Sequence, residues 1–333
     1  MKSKVLITGA DGFIGSHLVE LLLKEGFSIK AFCLYNSQGS WGWIDTLSDE
    51  IKSNIEVYLG DIRDYQSVLG AVKGCEYVFH LASLIAIPYS YKAPQSYVET
   101  NIIGTLNVLN AVKEVDIERL IHTSTSETYG TAQYVPIDEN HPLVGQSPYA
   151  ATKIAADQLA LSYWRSFDSP ITVLRPFNTY GPRQSDRAVI PTIISQIALG
   201  KNKLSLGSTS PTRDFNFVED TCKAFLEVAK SNLTIGKTIN VASNFEISIA
   251  ETALLISEIM NKEVEINLDK KRLRPKNSEV ERLYGDNTLI KKITNWEPNY
   301  GGIQGFKKGL KITIDWFSSP ENLKFYSPNS YKI

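Results

Sequence analysis

The chain has 333 residues, 43% hydrophobic and 21% charged, the balance of an ordinary globular protein with ample apolar residues for a core. At roughly 150 residues per domain this is about two domains, or one large domain with an appended lobe, and it excludes a disordered chain, a collagen-like chain and a small disulfide-stapled scaffold. Lys and Arg number 35 against 36 Asp and Glu, a net charge of −1, without the basic excess usual in a protein whose main partner is nucleic acid.

In chain order, Lys4–Thr8 is a short run of branched apolar residues and predicts a buried strand. Phe13–Glu25 carries Ile14, Leu18, Leu21 and Leu22 at helical spacing. Further strands are predicted at Ser28–Leu34, Ile55–Leu59, Tyr77–Leu81, Leu120–Thr123 and Ile171–Leu174. Helices are predicted between most of them, at Tyr65–Val72, Pro94–Val115 and Tyr149–Phe167. Strands alternating with helices imply right-handed crossovers and a doubly wound parallel sheet covered on both faces. After Pro176 the rhythm loosens. Helices are expected at Ala188–Leu199, Glu219–Lys230, Ser248–Asn261 and Gly302–Trp316, and Thr238–Val241 is a candidate to return to the sheet. No linker is evident, so the second half reads as a lobe packed on the first.

Three cysteines, Cys33, Cys75 and Cys222, are widely spaced and form no Cys-x-x-Cys pair, which predicts reduced, mostly buried thiols. The longest apolar stretch, Val78 to Tyr89, is broken by His80, Ser83 and Pro88 and falls short of the ~20 residues that span a bilayer. Val5-Leu6-Ile7 is too short for a signal-peptide core. The expectation is a cytoplasmic protein with no membrane partner.

Gly9-Ala10-Asp11-Gly12-Phe13-Ile14-Gly15 follows the first strand and opens the first helix. Glycines there let the backbone turn tightly and approach a pyrophosphate, which the first helical amides then face. The residues predict dinucleotide binding at Gly9, Gly12, Phe13, Ile14 and Gly15. In an NAD site an acid about twenty residues further on binds the adenosine ribose. That position here is Tyr35-Asn36-Ser37, with no acid. No Lys or Arg lies between Lys30 and Lys52, so nothing nearby holds a 2′-phosphate. The reading is NAD, with Asn36 on the ribose. Asp61, after the third strand, either accepts from the adenine amino group or caps the next helix.

Ser147-Pro148-Tyr149-Ala150-Ala151-Thr152-Lys153 places Tyr149 and Lys153 four apart, on one helix face. A nearby ammonium favours the phenolate, so Tyr149 can serve as a base toward a sugar hydroxyl, and Lys153 can hold the nicotinamide ribose. Thr123-Ser124-Thr125-Ser126-Glu127 lies at the C-terminal end of the preceding strand, the edge where such sheets bind ligands. There Thr125 can hold the reacting oxygen and Glu127 adds a carboxylate. Arg213 and Arg274 are candidates for holding phosphate groups of a ligand, because a guanidinium pairs bidentately with phosphate. Asn178 can bridge pyrophosphate or sugar, and Arg183 and Arg187 are placed in the nucleotide pocket. Tyr89 and Tyr91 either line the sugar site or belong to the core. His17, His80, His122 and His141 show no ligand spacing, so no catalytic metal is expected, and His80 and His122 read as structural.

These motifs resemble the extended short-chain dehydrogenase/reductase enzymes that act on nucleotide sugars. The resemblance rests on the Gly9/Gly12/Gly15 loop, His80-Leu81-Ala82-Ser83, Asn101-x-x-Gly104-Thr105, Thr125-Ser126-Glu127 and Tyr149-x-x-x-Lys153. Arg175-Pro176-Phe177-Asn178-x-Tyr180-Gly181-Pro182-Arg183 and Arg213-Asp214 extend it over essentially the whole chain. It implies a Rossmann domain over residues 1–176 and a smaller, mainly nucleotide-sugar-binding lobe over residues 177–333. It also implies Ile62, Leu81, Ala82 and Ser83 beside the cofactor. Dimerisation is expected through a four-helix bundle of Pro94–Val115 and Tyr149–Phe167, with a higher homo-oligomer also open.

Within that family, Thr125-Ser126-Glu127 is similar to the 4,6-dehydratase signature, and epimerases usually lack the glutamate. Glucose-type dehydratases carry Asp at the place of Ser126, whereas GDP-mannose dehydratases carry Ser. The acid for the C6 hydroxyl is then Glu127 itself, directly or through water. Arg274-Pro275-x-x-Ser278-Glu279-Val280-Glu281-x-Leu283-x-Gly285-Asp286 also resembles the GDP-mannose dehydratase tail. Ser40-Trp41-Gly42-Trp43, Ile85 to Tyr91, Thr131 to Ile137 and Ala188 to Thr192 resemble the N-acetylglucosamine 4,6-dehydratases of bacterial legionaminic acid synthesis. The implied substrate is GDP-N-acetylglucosamine. UDP-N-acetylglucosamine, another nucleotide hexose, or C4 epimerisation are the alternatives.

Overall fold

The computed structural model describes residues 3–326. Its centre is a seven-stranded sheet. Six strands come from the first half: β1 (Lys4–Thr8), β2 (Ser28–Leu34), β3 (Ile55–Gly60), β4 (Tyr77–His80), β5 (Arg119–Thr123) and β6 (Ile171–Pro176). The seventh is Thr238–Val241, and the spatial order is Thr238–Val241, β6, β5, β4, β1, β2, β3. Every neighbouring pair is parallel. Strand order reverses between β1 and β4, the switch point at which such sheets bind ligands.

The strands are apolar because both faces are covered. In β1, Val5 and Ile7 pack with Leu18 and Leu22 of α1 (Phe13–Lys24), while Leu6 faces the opposite layer with Val108, Leu109 and Ala160. The register aligns the strand ends that carry function: Thr8 pairs with Phe32 and His80, His80 with His122, and Thr123 with Leu174.

The helix expected over residues 94–115 is continuous but uneven. Pro94–Tyr97 and Gly104–Val115 are joined by a wider π turn at Val98–Ile103. Asn101 sits in that turn. Its side chain accepts from the Leu84 amide at 2.8 Å and donates to the Leu84 carbonyl and the Thr152 hydroxyl, both at 3.0 Å. The turn therefore ties the loop after β4 to the helix Pro148–Phe167.

The second half also contains strands that hydrophobic patterning did not predict. Thr212–Phe217 pairs with Asn178–Tyr180 in parallel and with Glu246–Ser248 antiparallel, and Lys203–Leu206 pairs with Glu265–Leu268. All three cysteines are buried and free. Among the described residues no helix is long and apolar enough to cross a membrane.

Candidate active site

The glycine loop is folded onto itself and onto the end of β4. A Cβ on Gly9, whose φ is +71°, would sit 2.8 Å from the Ala82 nitrogen, and one on Gly15 would sit 2.1 Å from the Gly9 carbonyl oxygen. Only glycine allows these approaches. Gly12 caps α1 with extended backbone and no side-chain acceptor, and the first turn contains no acid. The amides of Phe13 and Ile14 thus open the helix toward a pyrophosphate site. Thr8 Oγ1 accepts the Leu81 and Ala82 amides, both at 3.1 Å, and fixes the strand end opposite the loop. Ser83 is half-buried beside them. These residues fit a dinucleotide. Buried Ile62 underlies this edge against Gly104, where a Cβ would come within 2.9 Å of Ile62 Cγ2.

Two residues placed on the adenosine by sequence are otherwise engaged. Asn36 clamps its own loop: Oδ1 accepts the Gln38 and Ser40 amides at 3.1 Å, and Nδ2 donates to the Leu34 and Ser40 carbonyls at 3.2 and 2.7 Å. The ribose role expected of it has no spare hydrogen-bonding capacity behind it. Asp61 is gripped by the Arg63 guanidinium on both carboxylate oxygens. The helix Tyr65–Val72 is capped instead by Asp64.

Thr125 ends the β5 segment as the cap of a short turn, Ser126–Tyr129, and its Oγ1 accepts the Glu127 amide at 3.3 Å. Ser126 and Glu127 are buried. The helix Pro148–Phe167, capped by Ser147, brings Tyr149 to the same spot. Its ring packs with Ile87 and Tyr97, the latter at 6.3 Å between ring centroids. Burial pushes the Tyr149 phenol above the ordinary tyrosine range; a hydrogen bond with Thr125 pulls it down and the Glu127 charge pushes it up. This corrects the sequence expectation that Lys153 sets the phenol low. The Lys153 ammonium donates to the Thr123 carbonyl at 2.5 Å, and burial, which Asp157 opposes, lowers it to about 8.

Behind Lys153 lies a buried polar group that sequence reasoning missed. Asp157 Oδ2 accepts from Ser124 Oγ at 2.5 Å and from Arg175 Nη2 at 2.7 Å, and Oδ1 lies 3.2 Å from His122 Nε2. Burial alone would raise the Asp157 pKa, but Arg175, His122 and Lys153 hold it at about 2. His80 stacks toward His122 and bonds Thr8 and Thr105 at 2.8 and 3.1 Å. Burial holds both imidazoles below the usual histidine range. The signal was available: Asp157 lies one further turn along the face that carries Tyr149 and Lys153.

Arg213 and Arg274 converge near Glu127. Arg213 Nη2 donates to Glu279 Oε1 at 3.4 Å, while Arg274 Nη1 lies 3.7 Å from both Glu127 Oε2 and Glu279 Oε1. Asp214 fixes this wall by accepting from Ser243 and from the Gly285 amide; burial raises its carboxyl to about 6. Gln146 holds the tail through the Asn277 and Glu279 carbonyls, both at 3.2 Å, and Tyr91 bonds Ser278 at 2.6 Å. Tyr89 is more exposed and meets Tyr97. Asn178 opens a strand of this lobe, with Oδ1 buried and without a hydrogen bond among the described residues. Arg187 is exposed and acts electrostatically on Tyr97. Arg183 departs from its expected place: its guanidinium is held by Glu20 and His17 of α1, which fastens the segment after β6 to that helix. Among the described residues no cluster of His, Cys, Asp and Glu could hold a metal ion.

The family model described as "GDP-mannose 4,6 dehydratase" matches residues 6–309. The chain belongs to that family. This dehydratase-family chain is 32% identical to the low-salt glycan biosynthesis protein Agl12 of Haloferax volcanii, over 94% of this chain and 98% of that protein. It is 29% identical to human dTDP-D-glucose 4,6-dehydratase, over 94% and 89% of the two chains. Among solved structures, the dTDP-glucose 4,6-dehydratase of Bacillus anthracis, in complex with NAD, superposes with a TM-score of 0.83 at 27% identity, covering 98% of this chain and 100% of that one. A UDP-N-acetylglucosamine 4-epimerase from Methanobrevibacter ruminantium has a TM-score of 0.84 at 29% identity, with coverages of 95% and 99%. The family member described here thus shares its architecture with both dehydratases and epimerases.

Proposed function

We propose that this chain is an NAD-dependent nucleotide-sugar 4,6-dehydratase that converts GDP-N-acetylglucosamine to its 4-keto-6-deoxy derivative. One observation carries the dehydratase reading: a second proton-accepting group, Glu127, stands beside the Thr125–Tyr149 pair. A C4 epimerase needs one base for the C4 hydroxyl, whereas elimination needs another for C5. The choice of GDP and of an N-acetylated sugar rests on the sequence resemblances around Trp41, Tyr89, Tyr134 and Ile190. The same resemblances support a role in legionaminic acid synthesis for a surface glycan.

NAD, when bound along the glycine loop, would supply hydride acceptance at C4 and hydride return at C6. Tyr149, once ionised with the help of its hydrogen bond to Thr125, takes the C4 hydroxyl proton, and Thr125 holds that oxygen. Lys153, protonated below about pH 8 and anchored on the Thr123 carbonyl, holds the nicotinamide ribose with Tyr149. The C4 ketone acidifies the C5 proton. Glu127 accepts that proton and delivers it to the departing C6 hydroxyl, so one water leaves, and Ser126 lines the same edge. As hydride returns to C6, Glu127, ionised again after water has left, passes a solvent proton to C5, and Tyr149 releases the C4 proton to solvent, so the net change is the loss of one water. Arg213 and Arg274 bind the diphosphate, with Asn178 and Arg187 at the sugar and nucleotide. The adenosine half lies along the glycine loop, with Ile62, Leu81, Ala82 and Ser83 at its side.

The test is to incubate the purified chain with GDP- and UDP-N-acetylglucosamine and follow product mass. Loss of one water from the GDP sugar is expected. Unchanged mass with inverted C4 would identify an epimerase, and water loss from the UDP sugar alone would reassign the nucleobase.

A further inference from the structure

We infer that Asp11, from within the glycine loop, binds the adenosine ribose hydroxyls and sets a preference for NAD over NADP; the inference rests on the NAD reading above. The tip of β2 is where an NAD site needs a carboxylate, and β2 with the residues after it offers none there. Asn36 is consumed by its own loop. The structure brings an acid to the same place from another segment: Asp11 Oδ2 accepts the Leu34 amide, the last of β2, at 3.2 Å.

The carboxylate is held rather than free to wander. The Trp43 amide donates to the Asp11 carbonyl at 3.0 Å. A Cβ on Gly42, whose φ is +58°, would fall 2.9 Å from Asp11 Cβ, so this loop lies directly against the residue. The amides of Leu34 and Asp11 itself are the donors that reach the carboxylate. A carboxylate offers about four lone-pair sites, so capacity remains for the two ribose hydroxyls.

The surrounding charge points the same way. Asp45, whose Oδ2 accepts from Ser40 Oγ at 2.8 Å and the Trp41 amide at 2.9 Å, adds a second negative charge to the loop packed against Asp11. Lys30 turns away, donating to the Ala71 and Lys73 carbonyls at 2.9 and 3.0 Å, and Arg63 grips Asp61. A 2′-phosphate would meet like charge with no cation committed to it.

The competing reading is that Asp11 only fastens the loop. Calorimetric titration of the full chain, stripped of nucleotide, separates the two, with NAD, NADP and 2′-deoxy-NAD as probes. The wild type should bind NAD about tenfold or more tighter than 2′-deoxy-NAD, the worth of a hydrogen bond to a charged group. Asp11→Asn keeps an oxygen for the Leu34 amide but removes the charge. It should weaken NAD, narrow the gap to 2′-deoxy-NAD, and contract the NAD-over-NADP ratio by about tenfold. Equal wild-type affinity for NAD and 2′-deoxy-NAD overturns the inference even if the variant fails to fold, and so does an unchanged ratio in a folded variant. If the wild type binds neither dinucleotide, the NAD reading falls with it.

Discussion

Tyr149 and Glu127, the two side chains proposed as proton acceptors, differ in what surrounds them and in the role proposed for each. Tyr149 is walled by Ile87 and Tyr97 and touches Thr125; Glu127 faces Arg274. Tyr149→Phe keeps the ring packing, so bound NAD should persist while turnover falls about 100-fold or more, the usual worth of a positioned base. Glu127→Gln should leave C4 oxidation intact, seen as transient NADH absorbance, and abolish water loss with solvent deuterium uptake at C5. Uptake retained in Glu127→Gln would assign the C5 base elsewhere. Both residues were legible because their spacing and strand-end context are local. The phenol's raised pKa was not, since it reflects burial first and then the nearby Glu127 charge, both products of the tertiary fold. Arg183 likewise looked like a pocket residue, but its partners Glu20 and His17 are far away in sequence.

At the scale of the element, Pro148–Phe167 carries Tyr149, Lys153 and Asp157 on successive turns of one face, and the last tunes the second. The negative charge on Asp157 raises Lys153 against the desolvation that lowers it to about 8. Protonated Lys153 is therefore lost as pH rises through about 8, and kcat/KM should fall on that limb. The stability sign is separate: the unfolded lysine holds its proton to about 10.5, so this group favours folding at high pH and that contribution is lost as pH falls to about 8. Asp157→Asn should move the catalytic limb to lower pH. It should also destabilise the fold by about 3–5 kcal/mol, because Arg175 remains buried without its carboxylate; denaturant unfolding reads this directly. An unmoved limb in a folded variant would show that Asp157 does not act on Lys153. The first-half strands were legible as apolar runs covered on both faces. Thr212–Phe217 was not, because it buries Arg213, Asp214 and Asn216 and reads as a polar loop. Its burial depends on the tail segment, where the Thr212 amide donates to the Glu281 carbonyl and Leu283 to Thr212.

For the whole molecule, the helices at 94–115 and Pro148–Phe167 cover one side of the sheet and contact each other, which leaves their outer faces for a partner. We propose that a second copy of the chain fills this role through a four-helix bundle. Val98 and Ile103 are 43% and 42% exposed. Both lie on the π turn that joins Pro94–Tyr97 to Gly104–Val115, whose i→i+5 bonding shifts the phase of the helix. Ile102, Leu106, Ile154 and Leu159 of the same two helices are only partly buried. Two helices of roughly 30 Å per subunit can supply the ~1,600 Å² of a stable interface. Sequence periodicity could not reveal these exposed positions, because it assumes an even 3.6-residue turn and the widened turn shifts the phase. Ile103→Arg puts an unpaired charge in the centre of the bundle. Sedimentation equilibrium should then change from twice the 37.2 kDa chain mass to the single chain, while circular dichroism stays unaltered because the side chain faces outward in the monomer. A wild type that sediments as a single chain, or an Ile103→Arg variant that remains paired, would remove these helices as the dimer surface.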